Sequence, residues 1–165
     1  MSNHCNQLGK SFMAVRVIQG LEELRTLVGQ PLGASEWIEI TQQRVQAFAD
    51  GTDDHQWIHC DPERAKKESP YGTTVAHGFL TLSLCNSLVR QIFRIEGIKM
   101  VLNYGLNRVR FPTAVKVGSR VRMSSELIDL KETRGSVQAT FKQTFEIEGE
   151  ARPACVAETV VRIFF

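Results

Sequence analysis

Leu21, Leu24, Leu27 and Val28 recur at helical spacing and stop at Gly29, which predicts a short amphipathic helix early in the chain. Trp37, Ile38 and Ile40 follow as a brief strand. Thr41 stands where it can cap a helix that carries Val45, Phe48 and Ala49 as far as Gly51. From Thr52 to Asp61 no clean period survives, so a loop is expected there. Asp61-Pro62, a capping residue with proline at the first helical position, then opens a short helix. After the turn signals of Ser69, Pro70, Tyr71 and Gly72, the run from Val75 to Ile95 is apolar on most faces and free of proline. It predicts one long, largely buried helix.

Beyond that helix the pattern changes period. Ile98 to Arg110, Arg120 to Leu130, Ser136 to Ile147 and Ala154 to Phe164 alternate in part, and Pro112, Gly118, Gly135 and Gly149 punctuate them. Four antiparallel strands are expected. Helices first and consecutive strands afterwards give an α+β class, with one sheet that has to cover the apolar helix.

Composition narrows the picture little. The 165 residues are the size of a single domain, 1–165, and their 42% hydrophobic and 23% charged content is ordinary for a globular chain. Twenty Lys and Arg against 18 Asp and Glu leave a net charge of +2, too small to direct the protein to nucleic acid or a membrane surface. The most apolar stretch, Phe79 to Val89, is interrupted by Ser83, Asn86 and Ser87 and is too short for a bilayer. Met1 to Lys10 is polar and lacks the features of a secretory signal, so a cytoplasmic location is expected. Cys5, Cys60, Cys85 and Cys155 are widely spaced without a CxxC pair, as free thiols would be.

Two features can carry chemistry. Asp54 precedes His59 by five residues in the aperiodic segment, and a carboxylate and an imidazole that converge can share one water and divide the proton transfers of an addition or elimination. The spacing alone leaves open a structural role as a cap or a bonded turn. His77-Gly78 stands near the start of the long apolar segment, where unpaired N–H groups of a helical first turn suit an oxygen that gains negative charge. A glycine that merely eases entry into the helix is the alternative.

These features sit inside longer matching blocks. FADGTDDHQWIHCDPERA, residues 48–65, followed by YGTTVAHGFLTLSL, residues 71–84, resembles the MaoC-like dehydratases and the related (R)-specific enoyl-CoA hydratases. NYGLNRVRFPTAVKVGSRV, residues 103–121, is similar to their single-domain members, so the resemblance runs from Ser35 onward. It implies a hotdog fold, with a long central helix wrapped by an antiparallel β-sheet, and a homodimer. It also implies an acyl-CoA substrate, hydration of a trans-2-enoyl-CoA to a (3R)-3-hydroxyacyl-CoA or the reverse, and no metal or organic cofactor. Asp54 and His59 match the family's catalytic pair, and His77 and Gly78 match its histidine-glycine block at the thioester oxygen. Ser83 and Asn86, one to two turns further along, either contact substrate or serve helix packing.

The chain departs from the family at two places. Many members have glycine where this chain has Asp53, and Asn-Pro where it has Gln56-Trp57. A second carboxylate beside Asp54 would raise one carboxyl pKa if the two side chains lie close. Trp57 either anchors packing or lines an acyl pocket. Arg108, Arg110, Lys116, Arg120 and Arg122 either meet CoA phosphates or form the solvated face of strands. His55 and His59, four apart with Asp53, Asp54 and Asp61 nearby, would form a metal set only on a helix, and the expected loop argues against one. A hotdog thioesterase and a non-catalytic acyl-CoA-binding module are the competing functions.

Overall fold

The predicted caps and strand alternation both reappear in the computed structural model, which describes residues 15–165. Strand β1 (Arg16–Ile18) leads through helix α1 (Gly20–Thr26) to β2 (Gln30–Ala34) and β3 (Ile38–Glu39). Helices α2 (Gln42–Thr52), α3 (Trp57–Cys60), α4 (Pro62–Glu68), α5 (Gly78–Ser83) and α6 (Cys85–Ile92) follow, then β4 (Phe93–Ile95), β5 (Met100–Arg110), β6 (Arg120–Thr133), β7 (Ser136–Ile147) and β8 (Cys155–Phe164). Thr41 caps α2 by accepting a bond from the Arg44 amide at 3.2 Å, and Asp61 caps α4 by accepting from the Arg64 amide at 2.9 Å. Pro62 occupies the first helical turn, where its missing donor costs nothing.

The main sheet runs β2-β6-β7-β8-β5, with β3 also paired to β6, and its ladders are antiparallel. Alternation along β6 and β7 turns Val121, Met123, Leu127, Phe141 and Phe145 toward the helices. Leu80, Leu84, Leu88 and Ile92 recur four apart, lie on one face of α5 and α6, and pack with these sheet residues in the hydrophobic core. Full burial of each such side chain contributes about 1.5 to 3 kcal/mol. The opposite edge of the sheet is different. Met100, Val101, Leu102, Tyr104 and Leu106 of β5 are each 45% exposed or more, and no described strand pairs with the outer side of β5.

The single helix expected over Val75 to Ile95 is corrected. Leu84 (φ −66°, ψ −14°) separates α5 from α6, and both ends of the segment are extended. At the front, Val75 bridges Lys116 and the Ala76 amide bonds the Val115 carbonyl, so pairing across the fold outweighs local helix preference. At the back, Phe93 turns extended and β4 pairs in parallel with β1 in a small second sheet. The expected loop of Thr52 to Asp61 is likewise corrected: α2 reaches Thr52, and Trp57–Cys60 forms the one-turn helix α3. Cys60, Cys85 and Cys155 are free thiols, and burial pushes Cys85 up to about 11 and Cys155 up to about 12. Cys5 lies outside the described residues. No described helix is long and apolar enough to cross a membrane.

Candidate active site

Asp53 ends α2 in the left-handed region (φ 57°, ψ 20°), which turns the chain sharply at the residue before Asp54. That backbone suits glycine, and aspartate is among the few other residues that adopt it readily. Asp54 follows with its side chain 56% exposed. One turn of helix, α3, then carries His59 back toward the extended segment before α5. There the His59 Nδ1–H donates to the Val75 carbonyl at 2.6 Å, and the Val75 amide donates to the Ile58 carbonyl at 3.1 Å. With Nδ1 holding the proton, Nε2 of His59 is left as the basic nitrogen.

His77 is the N-cap residue of α5 and only 3% exposed. Its Nε2–H donates to the backbone carbonyl of Asp54 at 2.9 Å and lies 3.9 Å from Asp54 Oδ2. Its ring stacks on His59, with centroids 3.8 Å apart and planes 28° apart, and Phe48 of α2 meets its other neighbourhood at 5.0 Å. One ligand-type atom from each of Asp54, His59 and His77 falls within 4.8 Å of the other two. The fold thus brings together three of the residues singled out from sequence, although 23 positions separate Asp54 from His77.

The electrostatics favour a neutral His59. Burial lowers its pKa below the ordinary 6.5 and the adjacent His77 adds to the effect, while the bond to Val75 and the charge of Asp54 oppose it. His55 behaves in the opposite way. It is bonded to Asp50 at 2.9 Å, and that bond, with the charges of Asp50 and Asp53, raises its pKa. His55 therefore belongs to an exposed pair outside the cluster, and the metal set of His55 and His59 does not form. Asp54, His59 and His77 are the residues that could approach a cation, but Nε2 of His77 is committed to the Asp54 carbonyl and its Nδ1 is buried. Two open donors fall short of the three or four protein ligands usual for zinc.

Gly78 opens α5, and a Cβ there would meet the Phe111 ring at 3.1 Å, so close packing explains the glycine. Its amide, in the first turn, has no acceptor within the helix. Ser83 is exposed and donates to the Phe79 carbonyl at 2.7 Å, and Asn86 is exposed beside it on α6. Both border a cavity on the helix side, away from the three-residue cluster. Trp57 stacks under the Arg64 guanidinium at 4.5 Å, which is a packing contact. Arg120 and Arg122 form ion pairs with Glu148 and Glu146 across β6 and β7, as a solvated strand face would.

Sequence reasoning missed Gln42 and Thr74. The Gln42 amide donates to the His59 carbonyl at 2.7 Å and accepts from the Thr74 hydroxyl at 2.6 Å, so one side chain of α2 ties α3 to the segment that holds His59's ring. Thr74 is 1% exposed. Nothing in their local pattern signals this, because the partners lie 17 and 32 positions away.

A helical pair laid on an antiparallel sheet, with a carboxylate and an imidazole beside the first helix's start, defines the class: a hotdog-fold enzyme. The MaoC like domain model matches residues 23–147, and the chain belongs to this family of hydratases and dehydratases. Among its relatives, 3-hydroxyacyl-thioester dehydratase Z of Mycobacterium tuberculosis is 51% identical over 149 residues, covering 90% of this chain and 98% of that protein. Nodulation protein N of Rhizobium leguminosarum bv. viciae is 47% identical over 147 residues, covering 88% and 91%. The (R)-hydratase from A. caviae involved in PHA biosynthesis superposes with a TM-score of 0.67 at 27% identity, covering 81% of this chain and 94% of that one.

Proposed function

We propose that this chain is a single catalytic domain that hydrates trans-2-enoyl-CoA to (3R)-3-hydroxyacyl-CoA, and catalyses the reverse dehydration, with Asp54 and His59 acting on one water. The observation that carries the proposal is the convergence of Asp54, His59 and His77 within 4.8 Å, with His59 Nε2 left basic by its bond to Val75. The names of the mycobacterial dehydratase and the A. caviae hydratase support the thioester substrate and the (R) outcome.

In the forward direction, His59 Nε2 takes a proton from water as its oxygen bonds C3, and the second hydrogen stays on the new hydroxyl. The proton that His59 has taken up is then delivered to C2, a transfer that Asp54 assists, so His59 is neutral again and the net change is addition of one water. Charge that collects on the thioester oxygen meets the Gly78 amide, and a donor so placed contributes roughly 3 kcal/mol. His77 positions the pair, through its stack on His59 and its bond to the Asp54 carbonyl. Three free thiols among the described residues suit a reducing cytoplasm.

Crotonyl-CoA tests the reading. Loss of the enoyl absorbance with no free thiol is the expected result, release of free thiol would mean a thioesterase, and no change would leave a binding module. The pH profile tests His59. It acts when neutral, so kcat/KM falls as pH drops through its pKa, and burial places that acid limb below pH 6.5. A profile with no acid limb would remove His59 as the base.

The proposal includes a homodimer in which two β5 edges meet. A long, apolar, unpaired strand edge invites a further strand, and a second copy offers one of matching length and character.

A further inference from the structure

Two bonds from other elements reach the backbone of α3, the one-turn helix that carries His59. A single turn has too few internal bonds to fix its own position, and the carbonyls of a last turn have no partner within the helix. The first outside bond runs from the Val75 amide to the Ile58 carbonyl at 3.1 Å. The second comes from Gln42, whose Nε2–H donates to the His59 carbonyl at 2.7 Å. Gln42 Oε1 in turn accepts from the Thr74 hydroxyl at 2.6 Å, and Thr74 immediately precedes the residue whose carbonyl receives His59 Nδ1–H.

The segment at the far end of this chain of bonds is fixed independently. The Val117 amide donates to the Thr74 carbonyl at 3.0 Å, the Ala76 amide donates to the Val115 carbonyl at 2.8 Å, and Val75 bridges Lys116. Thr74 and Val75 are 1% and 4% exposed. Gln42 therefore ties the backbone end of His59 to the same stretch that holds its ring. A carboxamide suits the place because it donates and accepts at once, whereas an ionised carboxylate has no donor and an ammonium no acceptor. Turned over, it would set Oε1 against the His59 carbonyl, so the two bonds select one orientation. Gln42 stands in the first turn of α2, and Asp53, which turns the chain toward Asp54, ends that helix. One helix thus governs the placement of both Asp54 and His59.

We propose that Gln42 and Thr74 are a positioning pair for His59, holding Nδ1–H on the Val75 carbonyl and so keeping Nε2 aimed at the water. The inference rests on the hydratase reading above. With its backbone and its ring tied to one stretch, His59 has a single direction of approach. With the backbone end released, α3 can pivot about the bond between Val75 and Ile58, and Nε2 leaves the line of attack. A displacement of about 1 Å in a reacting group costs on the order of 100-fold in rate. Both residues act through the aim of the base, so the loss falls on kcat and leaves KM nearly unchanged.

The test pairs crotonyl-CoA kinetics with NMR of isotopically labelled histidine, which reads the His59 Nδ1–H directly; His59→Gln identifies its signal by removing it. Gln42→Met deletes both bonds at similar volume. It is expected to lower kcat by about 100-fold, with KM within about threefold of the wild type, and to broaden or erase the Nδ1–H signal. Thr74→Val, which keeps the shape and loses the hydroxyl, is expected to act in the same direction, and Thr74→Ser to retain most of the rate. The double variant Gln42→Met with Thr74→Val is expected to lose no more than Gln42→Met alone, because the two residues work as a unit. A folded Gln42→Met with wild-type kcat or an unchanged Nδ1–H signal overturns the inference, as does a lowered melting temperature with both of these intact, the mark of a merely structural tie. If Gln42→Met does not fold, Gln42→Glu, which keeps the acceptor for Thr74 and loses the donor to His59, is judged by the same measures. A wild type that leaves crotonyl-CoA unchanged would overturn the hydratase reading itself, and the Nδ1–H signal, which needs no turnover, would still decide whether Gln42 holds the ring.

Discussion

Asp54→Asn and His59→Gln are each expected to lower kcat for crotonyl-CoA hydration by about 100- to 10,000-fold, the usual contribution of a positioned acid or base. Asparagine keeps the size and a hydrogen-bonding oxygen but can neither hold nor pass the proton. Glutamine offers an amide that can still donate to the Val75 carbonyl while removing the basic Nε2. Stability should change little. The Asp54 side chain is 56% exposed and half-buried His59 is bonded to backbone at a single ring atom, so neither leaves a large void or an unpaired buried charge. The check is steady-state kinetics beside a thermal melt of each purified variant. Retained activity in either one, with an unchanged melt, would take that residue out of the mechanism.

The double variant Met100→Lys with Leu102→Lys is expected to convert a dimer to a monomer, halving the mass seen by light scattering. Both side chains are nearly half exposed on β5, and neither lines the cavity behind the helices. Covering a side chain of this kind is worth up to about 1.5 to 3 kcal/mol, and a two-fold contact counts each residue twice. Lysines there forfeit that burial and bring like charges together across the contact. A wild-type chain that runs as a monomer at micromolar concentration, or a double variant that remains dimeric, would discard β5 as the joining edge.

The parts of the fold most legible in the sequence were those decided by neighbours in the chain. Thr41 and Asp61 cap their helices because each side chain reaches an amide three residues ahead. β7 occupies the predicted span because period-two alternation and the glycines around it are local signals. The segment from Val75 to Ile95 defeated the same approach at both ends. Its composition suits a helix throughout, yet Val75 and Ala76 are claimed by backbone partners beyond position 110, and Phe93–Ile95 by a three-residue strand near the start of the described chain. The site divides along the same line. Asp54 and His59 stand out as residue types, but the bond that leaves His59 basic comes from a carbonyl 16 positions away. The ring stacked on it comes from His77, and its backbone is held by Gln42. Such contacts belong to the folded arrangement, and the spacing of residues does not encode them.

Asp53 has a consequence for the motion of the site. Glycine at a left-handed turn carries the least strain but leaves the unfolded and partly opened chain the most freedom, which ordering must then remove. Aspartate accepts some strain in the native turn and narrows what the chain can do when the turn loosens. In this protein the substitution also puts a negative charge near His55, which Asp50 already favours in its protonated form. The turn that presents Asp54 is thereby flanked by restricted backbone choice at Asp53 on one side and the His55–Asp50 hydrogen bond on the other. The Asp54 carboxylate, more than half open to water, takes its orientation from that backbone turn, since packing around the side chain itself supplies little.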